Sequence, residues 1–99
     1  MEHDINLNIH YSAPNEIWHK LYEVYVSMPY WAGNTKEVKW IGNEVNLWAS
    51  VEPSGIQITG TMPDSIWNDW YSSLKYKLTE ALGYEIGEPE EGYEFYYWD

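Results

Sequence analysis

Two segments with helical spacing of apolar residues flank three short runs of strict alternation, and each helical segment is apolar on one side only. From Pro14 to about Met28, the residues Ile17, Leu21, Val24 and Met28 recur at i, i+4, i+7 and i+11, and Trp18, Tyr22 and Tyr25 widen that stripe. Ser12 or Ala13 would cap this helix, Pro14 opens it and Pro29 ends it. A second helix begins at Thr61. Asp64 lies three residues on and Pro63 sits in the first turn, which resembles a capping box. Trp67, Trp70, Tyr71, Leu74, Leu78, Ala81 and Leu82 make its apolar face, and Gly83 fits the C-cap.

The strands read from period 2. Ile5, Leu7, Ile9 and Tyr11 alternate with Asn6, Asn8 and His10. After a loop at Tyr30–Thr35, strands run from Glu37 to Ile41, from Glu44 to Glu52 and from Ile56 to Gly60. Gly42-Asn43 and Pro53-Ser54-Gly55 turn the chain between them. An acidic turn, Gly87–Gly92, precedes a last strand from Tyr93 to Trp98. The expected order is β-α-β-β-β-α-β in one α+β domain over residues 1–99. Two one-sided helices and alternating strands are both satisfied by two layers, with the helices on one face of a mainly antiparallel sheet. Strand parity then leaves Asn6, Asn8, His10, Trp48, Ser50, Gln57, Thr59, Tyr96 and Trp98 on the open face.

Seven Trp and ten Tyr in 99 residues supply more large rings than a solvated sheet face needs. Five Lys, no Arg and sixteen Asp and Glu give a net charge of −11. The charge is uneven: residues 1–49 hold six acids and three Lys, net −3, and residues 50–99 hold ten acids and two Lys, net −8. Such a field repels phosphate backbones and anionic membranes, and Arg, the usual reader of bases and phosphates, is missing. It would speed encounter with a basic partner. The chain has no Cys, which suits a reducing cytosol, and its start, Met1-Glu2-His3-Asp4, has no apolar signal core. The expectation is a complete cytoplasmic protein.

Three groups of residues are candidates for partner contact. Trp48, Tyr96 and Trp98 on the open face would supply contact area to a protein or a flat ligand. Cross-strand pairing, a homodimer or a C-terminus folded over the face would account for the same rings. Tyr30 and Trp31 lie in a loop, where binding residues collect, and could equally plug the end of the core. Glu88, Glu90, Glu91 and Glu94 form a charge run that would steer Lys and Arg; they lack the spacing and central Gly of a calcium loop.

No catalytic or metal motif survives inspection. Glu16-Ile17-Trp18-His19 has E-x-x-H spacing, but a di-iron site needs several such helices and this chain has one motif. His3 and His10 have opposite strand parity. Glu44 and Glu52 share a strand face but would lie roughly 27 Å apart, too far for paired-carboxylate catalysis. Ser54 is not in a nucleophile elbow. No metal and no cofactor is expected.

Ser27–Trp31, Trp48–Gly55 and Gly87–Trp98 resemble segments of a group of small acidic proteins of Gram-positive bacteria, a likeness that spans most of the chain and implies no particular activity. In size and acidity the chain is also similar to immunity proteins that neutralise secreted toxins. The leading expectation is a non-enzymatic recognition protein, immunity- or antitoxin-like, that binds a basic protein through open-face aromatics flanked by C-terminal carboxylates. The alternative is a module that stacks the same aromatics on a glycan or another small ligand, and an enzyme of unrecognised type ranks third.

Overall fold

The computed structural model describes residues 1–98. The elements are β1 (Glu2–Leu7), α1 (Asn15–Ser27), β2 (Val38–Gly42), β3 (Val45–Glu52), β4 (Gly55–Thr61) and α2 (Asp64–Leu82), followed by a 3-10 turn at Pro89–Glu91. The four strands form one antiparallel sheet in the order β1-β4-β3-β2. Both helices cover one face of it and pack on each other, so the α+β, two-layer expectation holds.

The register explains why the alternation was readable. One set of cross-strand rows runs His3-Gly60-Leu47-Trp40, Ile5-Ile58-Ala49-Val38 and Leu7-Ile56-Val51. Most of these side chains join the buried helices' faces: Ile17, Leu21 and Tyr25 from α1, and Trp67, Trp70, Tyr71, Leu74 and Leu78 from α2. The intervening rows, Glu2-Thr61-Asn46-Ile41, Asp4-Thr59-Trp48-Lys39 and Asn6-Gln57-Ser50, make the open face. There Gln57 donates to the Asp4 carboxylate at 2.8 Å, and Ser54 donates to the Asn6 side-chain oxygen at 2.9 Å. Trp40, fully buried, donates its indole N–H to the Tyr25 carbonyl at 3.2 Å, which meets the requirement that a buried indole find an acceptor.

Several local expectations are corrected. β1 begins at Glu2 and stops at Leu7 rather than running to Tyr11. The cause is a tight turn in which the Ile9 N–H bonds the Leu7 carbonyl at 2.8 Å. Strand parity fails there, and Leu7, Asn8 and Ile9 are all fully buried while Tyr11 is exposed. α1 has Pro14 as its N-cap, not Ser12 or Ala13, and α2 has Pro63; neither helix has a side-chain cap. Thr61 belongs to β4, so no capping box forms, and the Asp64 carboxylate faces His3 Nε2 at 3.5 Å instead. The first hairpin turns at Asn43-Glu44, with Gly42 paired to Val45 and Glu44 in the left-handed region at φ 60°. Gly83 ends α2 as expected: its φ is 86° and its N–H bonds the Thr79 carbonyl at 3.0 Å.

The expected final strand, Tyr93–Trp98, is extended chain without a ladder. Its one strand-like contact is a parallel bridge between Tyr96 and Ile9. Ahead of it, the 30–34 loop covers the outer edge of β2, through Ile41 N–H to the Tyr30 carbonyl (2.8 Å), Ala32 N–H to Lys39 (3.0 Å) and Asn34 N–H to Glu37 (2.8 Å). That edge is therefore closed to pairing with another chain.

Candidate functional site

A buried amide, that of Asn8, anchors the C-terminal segment. Asn8 donates from Nδ2 to the carbonyls of Glu85 (3.0 Å) and Glu94 (2.7 Å), and its Oδ1 accepts the Gly87 N–H at 2.8 Å. Its backbone N–H bonds the Gly87 carbonyl at 3.0 Å, and its carbonyl accepts the Tyr84 hydroxyl at 2.8 Å. A fully buried amide with every strong site used satisfies the rule that buried polar groups be paired. Asn8 was expected on the open face; it is instead the residue that seats residues 84–94 against the end of β1.

Beyond Glu94 the extended backbone sends alternate side chains to opposite sides. Tyr96 and Trp98 join Tyr84, with ring centroids 5.6 Å (Tyr84–Tyr96), 5.1 Å (Tyr96–Trp98) and 5.9 Å (Tyr84–Trp98) apart. Phe95 and Tyr97 turn to His10, at 6.1 and 4.8 Å, and His10 also stacks on Tyr11 at 4.3 Å. Tyr84 follows the left-handed Gly83, where a hydrophobic residue commonly folds back toward its helix. Burial pushes its phenol above the ordinary tyrosine range.

This geometry divides the expected contact surface. Tyr96 is 53% exposed and shares an open depression of about 550 Å³ with Tyr84, Tyr93 and the carboxylate-bearing Glu85, Glu91 and Glu94. Trp98 is half-buried against the core beside them. Trp48 is not part of this group: it lies on the open sheet face, 47% exposed, between Lys39 and Thr59. It borders a depression of about 450 Å³ with Glu2, Asp4, Asn46 and Thr61. The single aromatic platform expected from strand parity is thus corrected to two separate surfaces, because Tyr96 and Trp98 are carried by the tail and not by the sheet.

Tyr30 and Trp31 divide as well. Trp31 is a plug: its ring meets Trp40 edge-on at 5.9 Å and Tyr22 at 5.6 Å. Tyr30 is exposed, in the left-handed region at φ 74°, with its ring lying over Gly42. Glu88 and Glu91 approach the Tyr71 phenol. That hydroxyl is sealed from solvent with no partner in hydrogen-bond geometry among the described residues. Burial first, and the Glu88 carboxylate second, hold it protonated well above the ordinary range. Glu90, on the 3-10 turn, is solvent-exposed.

Carboxylates beside exposed phenol rings bind one chemistry well, that of ammonium and guanidinium groups. The protein uses the same pairing internally, with Lys75 Nζ 4.2 Å above the Tyr71 ring. None of the five Lys lines the depression; Lys39 pairs with Glu37 at 3.2 Å and Lys77 donates to Ser27 at 3.3 Å. No group of three or more His, Cys, Asp or Glu among the described residues is arranged to hold a metal ion. None of the described helices is long and apolar enough to cross a membrane.

Sequence reasoning missed Asn8, Tyr84 and Glu85. A polar residue between Leu7 and Ile9 carries no signal of burial when parity assigns it to solvent. Tyr84 had one available cue, its place after a C-cap glycine. Compared with known protein families, curated proteins and solved structures, the chain has no significant match to any.

Proposed function

We propose that the chain is a non-enzymatic recognition protein whose C-terminal depression binds a basic protein. The observation that carries this reading is the exposed Tyr96 ring set among Glu85, Glu91 and Glu94, with no Lys among the lining residues. The ring supplies desolvated contact and a face for a cation. The carboxylates steer a Lys- or Arg-rich surface and reject acidic competitors. Masking of a basic toxin surface by an immunity- or antitoxin-like protein is the sharpest form of the reading.

Calorimetric titration with hexa-arginine, hexa-lysine and hexa-glutamate peptides tests it. Binding is expected for the two basic peptides only, to weaken between 50 and 200 mM salt (roughly this range, given a Debye length of about 8–10 Å near 0.1 M), and to fall on Tyr96→Ala and on Glu91→Gln with Glu94→Gln. Equal binding of the acidic peptide, or binding indifferent to salt and to these substitutions, sinks the reading.

A second reading rests on Trp48. An exposed indole beside Asn46, Thr59 and Thr61 on a polar sheet face suits stacking on a sugar ring. Glycan titration followed by fluorescence, with Trp48→Phe as control, separates the two: a response lost in that variant favours the glycan, and silence across a broad panel removes it.

A further inference from the structure

The sheet has two edges, and among the described residues one of them is left open. β2 is covered by the 30–34 loop, whereas β1, at the other end of the order β1-β4-β3-β2, has β4 on one side and no strand on the other. The ladder fixes which backbone groups of β1 face outward. Met62 N–H bonds the Met1 carbonyl at 3.0 Å, extending the β1–β4 pairing by one residue, so Met1, His3, Ile5 and Leu7 direct their backbone groups at β4. Glu2, Asp4 and Asn6 therefore direct theirs away from the sheet. The next residue of that parity agrees: Asn8 N–H points outward and bonds the Gly87 carbonyl at 3.0 Å. Among the described residues, no backbone group from another segment bonds Glu2, Asp4 or Asn6 on this side.

An open row of N–H and C=O groups is completed by an extended chain, which pairs with it residue by residue. The flanking side chains set which chain fits. Glu2 and Asp4 are exposed on the open face, and neither β1 nor β4 contains a Lys to neutralise them. Each begins a cross-strand row, Glu2-Thr61-Asn46 and Asp4-Thr59-Trp48. An added strand lengthens these rows by one residue, and opposite charge directly across a row stabilises the pair. The net charge of −11 draws a basic segment toward the same place. On the covered face Ile5 is half-buried against the core, so an apolar residue across from it extends the core's rim.

A second copy of the chain fits badly. β1 paired antiparallel with its own copy about Asp4 sets two Asp4 carboxylates directly opposite each other, which is destabilising. The tail already occupies the far end of the edge, at Asn8 and Ile9, and limits an added strand to Glu2–Asn6.

We propose that the outer edge of β1 accepts, antiparallel, an extended basic segment of another protein, with Lys or Arg across from Glu2 and Asp4 and an apolar residue across from Ile5. Backbone pairing supplies the contact, and the two carboxylates select the sign of the partner's charge. The edge is distinct from the C-terminal depression, and the proposal does not depend on that site.

The probe is the peptide acetyl-Thr-Val-Lys-Val-Lys-amide, which in antiparallel register sets its Lys residues across from Asp4 and Glu2. It is titrated into the intact protein and followed by calorimetry and by amide chemical shifts. Saturable one-to-one binding is expected, with shifts centred on Glu2–Asn6. N-methylation of the central Lys removes an N–H that bonds Asp4, and should weaken binding about tenfold, the upper value of one ordinary hydrogen bond. N-methylation of either Val, whose N–H points away from β1, should leave binding unchanged. Asp4→Pro removes an outward N–H at an edge position where Pro is tolerated, and should abolish binding. Tyr96→Ala, in the C-terminal depression, should change nothing. The methylated peptides decide even if Asp4→Pro fails to fold. Absence of saturable binding overturns the proposal, as do shifts confined to the tail, or equal losses on methylating Lys and Val. A ligand-free dimer that Asp4→Pro converts to monomer also overturns it, because the occupant would then be a second copy of the chain.

Discussion

Replacing Asn8 by Ala should detach the C-terminal segment while leaving the sheet and helices in place. The substitution removes three side-chain hydrogen bonds. The Gly87 N–H is buried, so losing its acceptor costs about 1–3 kcal/mol; the partly exposed Glu85 and Glu94 carbonyls lose about 0.5–1.5 kcal/mol each. The total, about 2–6 kcal/mol, is a large share of the roughly 5–15 kcal/mol that stabilises a domain. Asn8→Asp sharpens the test. It turns a donor pair into an acceptor facing two carbonyls, so its folded-state carboxyl is raised above the ordinary value of about 3.9. Stability is then best retained below pH ~4 and lost as pH rises. Urea unfolding gives the magnitude, and amide exchange locates it: residues 84–98 should lose protection first. A cost below about 1 kcal/mol for Asn8→Ala, or unchanged protection of that segment, would refute the role assigned to this amide.

Three further outcomes follow from burial and backbone geometry. Tyr71→Phe removes a hydroxyl without a partner and should leave stability unchanged or raise it by up to about 1 kcal/mol, whereas Tyr84→Phe breaks a bond to the Asn8 carbonyl and should cost about that much; thermal melts decide, and a larger loss for Tyr71→Phe contradicts the reasoning. Burial raises Tyr25, Tyr71 and Tyr84 above the ordinary tyrosine value of about 10, so the stability they contribute is complete below pH ~10 and declines above it. For the buried Tyr25 the decline is about 1.4 kcal/mol per pH unit, and part of the tyrosinate absorbance at 295 nm should appear together with unfolding rather than before it. Gly60 sits at φ 138°, where a Cβ would run into the Asn46 carbonyl, so Gly60→Ala should lower stability by at least about 2 kcal/mol in the same melts.

The helices were legible because their apolar stripes are one-sided and end at recognisable signals, Pro29 after α1 and Gly83 after α2. The hairpins were legible because β3 alternates without a break. What the sequence concealed lies at Leu7–Ile9. Alternation continues through that triplet, yet the turn closing Leu7 to Ile9 reverses the direction of Asn8, and no local residue signals it. His10 and Tyr11, placed by carrying parity through Asn8, were displaced in consequence; the tail was displaced separately, because it joins the sheet's end by one bridge and not as a strand. The aromatic alternation of Tyr93–Trp98 suggested a strand, which the structure reduces to one isolated bridge. It could not say whether that backbone would find a ladder, because β1 is consumed by β4 on one side and ends before the tail reaches it. Within the candidate site, the closeness of Tyr96 to Glu91 and Glu94 was readable from their short separation in sequence. The distance of Trp48 from them was not, since it depends on the path of a tail anchored by a residue from the other end of the chain.

The indoles of Trp31, Trp40, Trp70 and Trp67 succeed one another at centroid separations of 5.9, 5.0 and 5.9 Å. Chromophores that close share excitation, so near-ultraviolet circular dichroism should carry paired bands of opposite sign from the coupled rings. Light absorbed anywhere in the row migrates before it is emitted, which makes the row one optical unit. Trp48, on the far face of the sheet, stands outside this row, and a variant keeping it as the sole indole would convert that face into a spectroscopically isolated reporter.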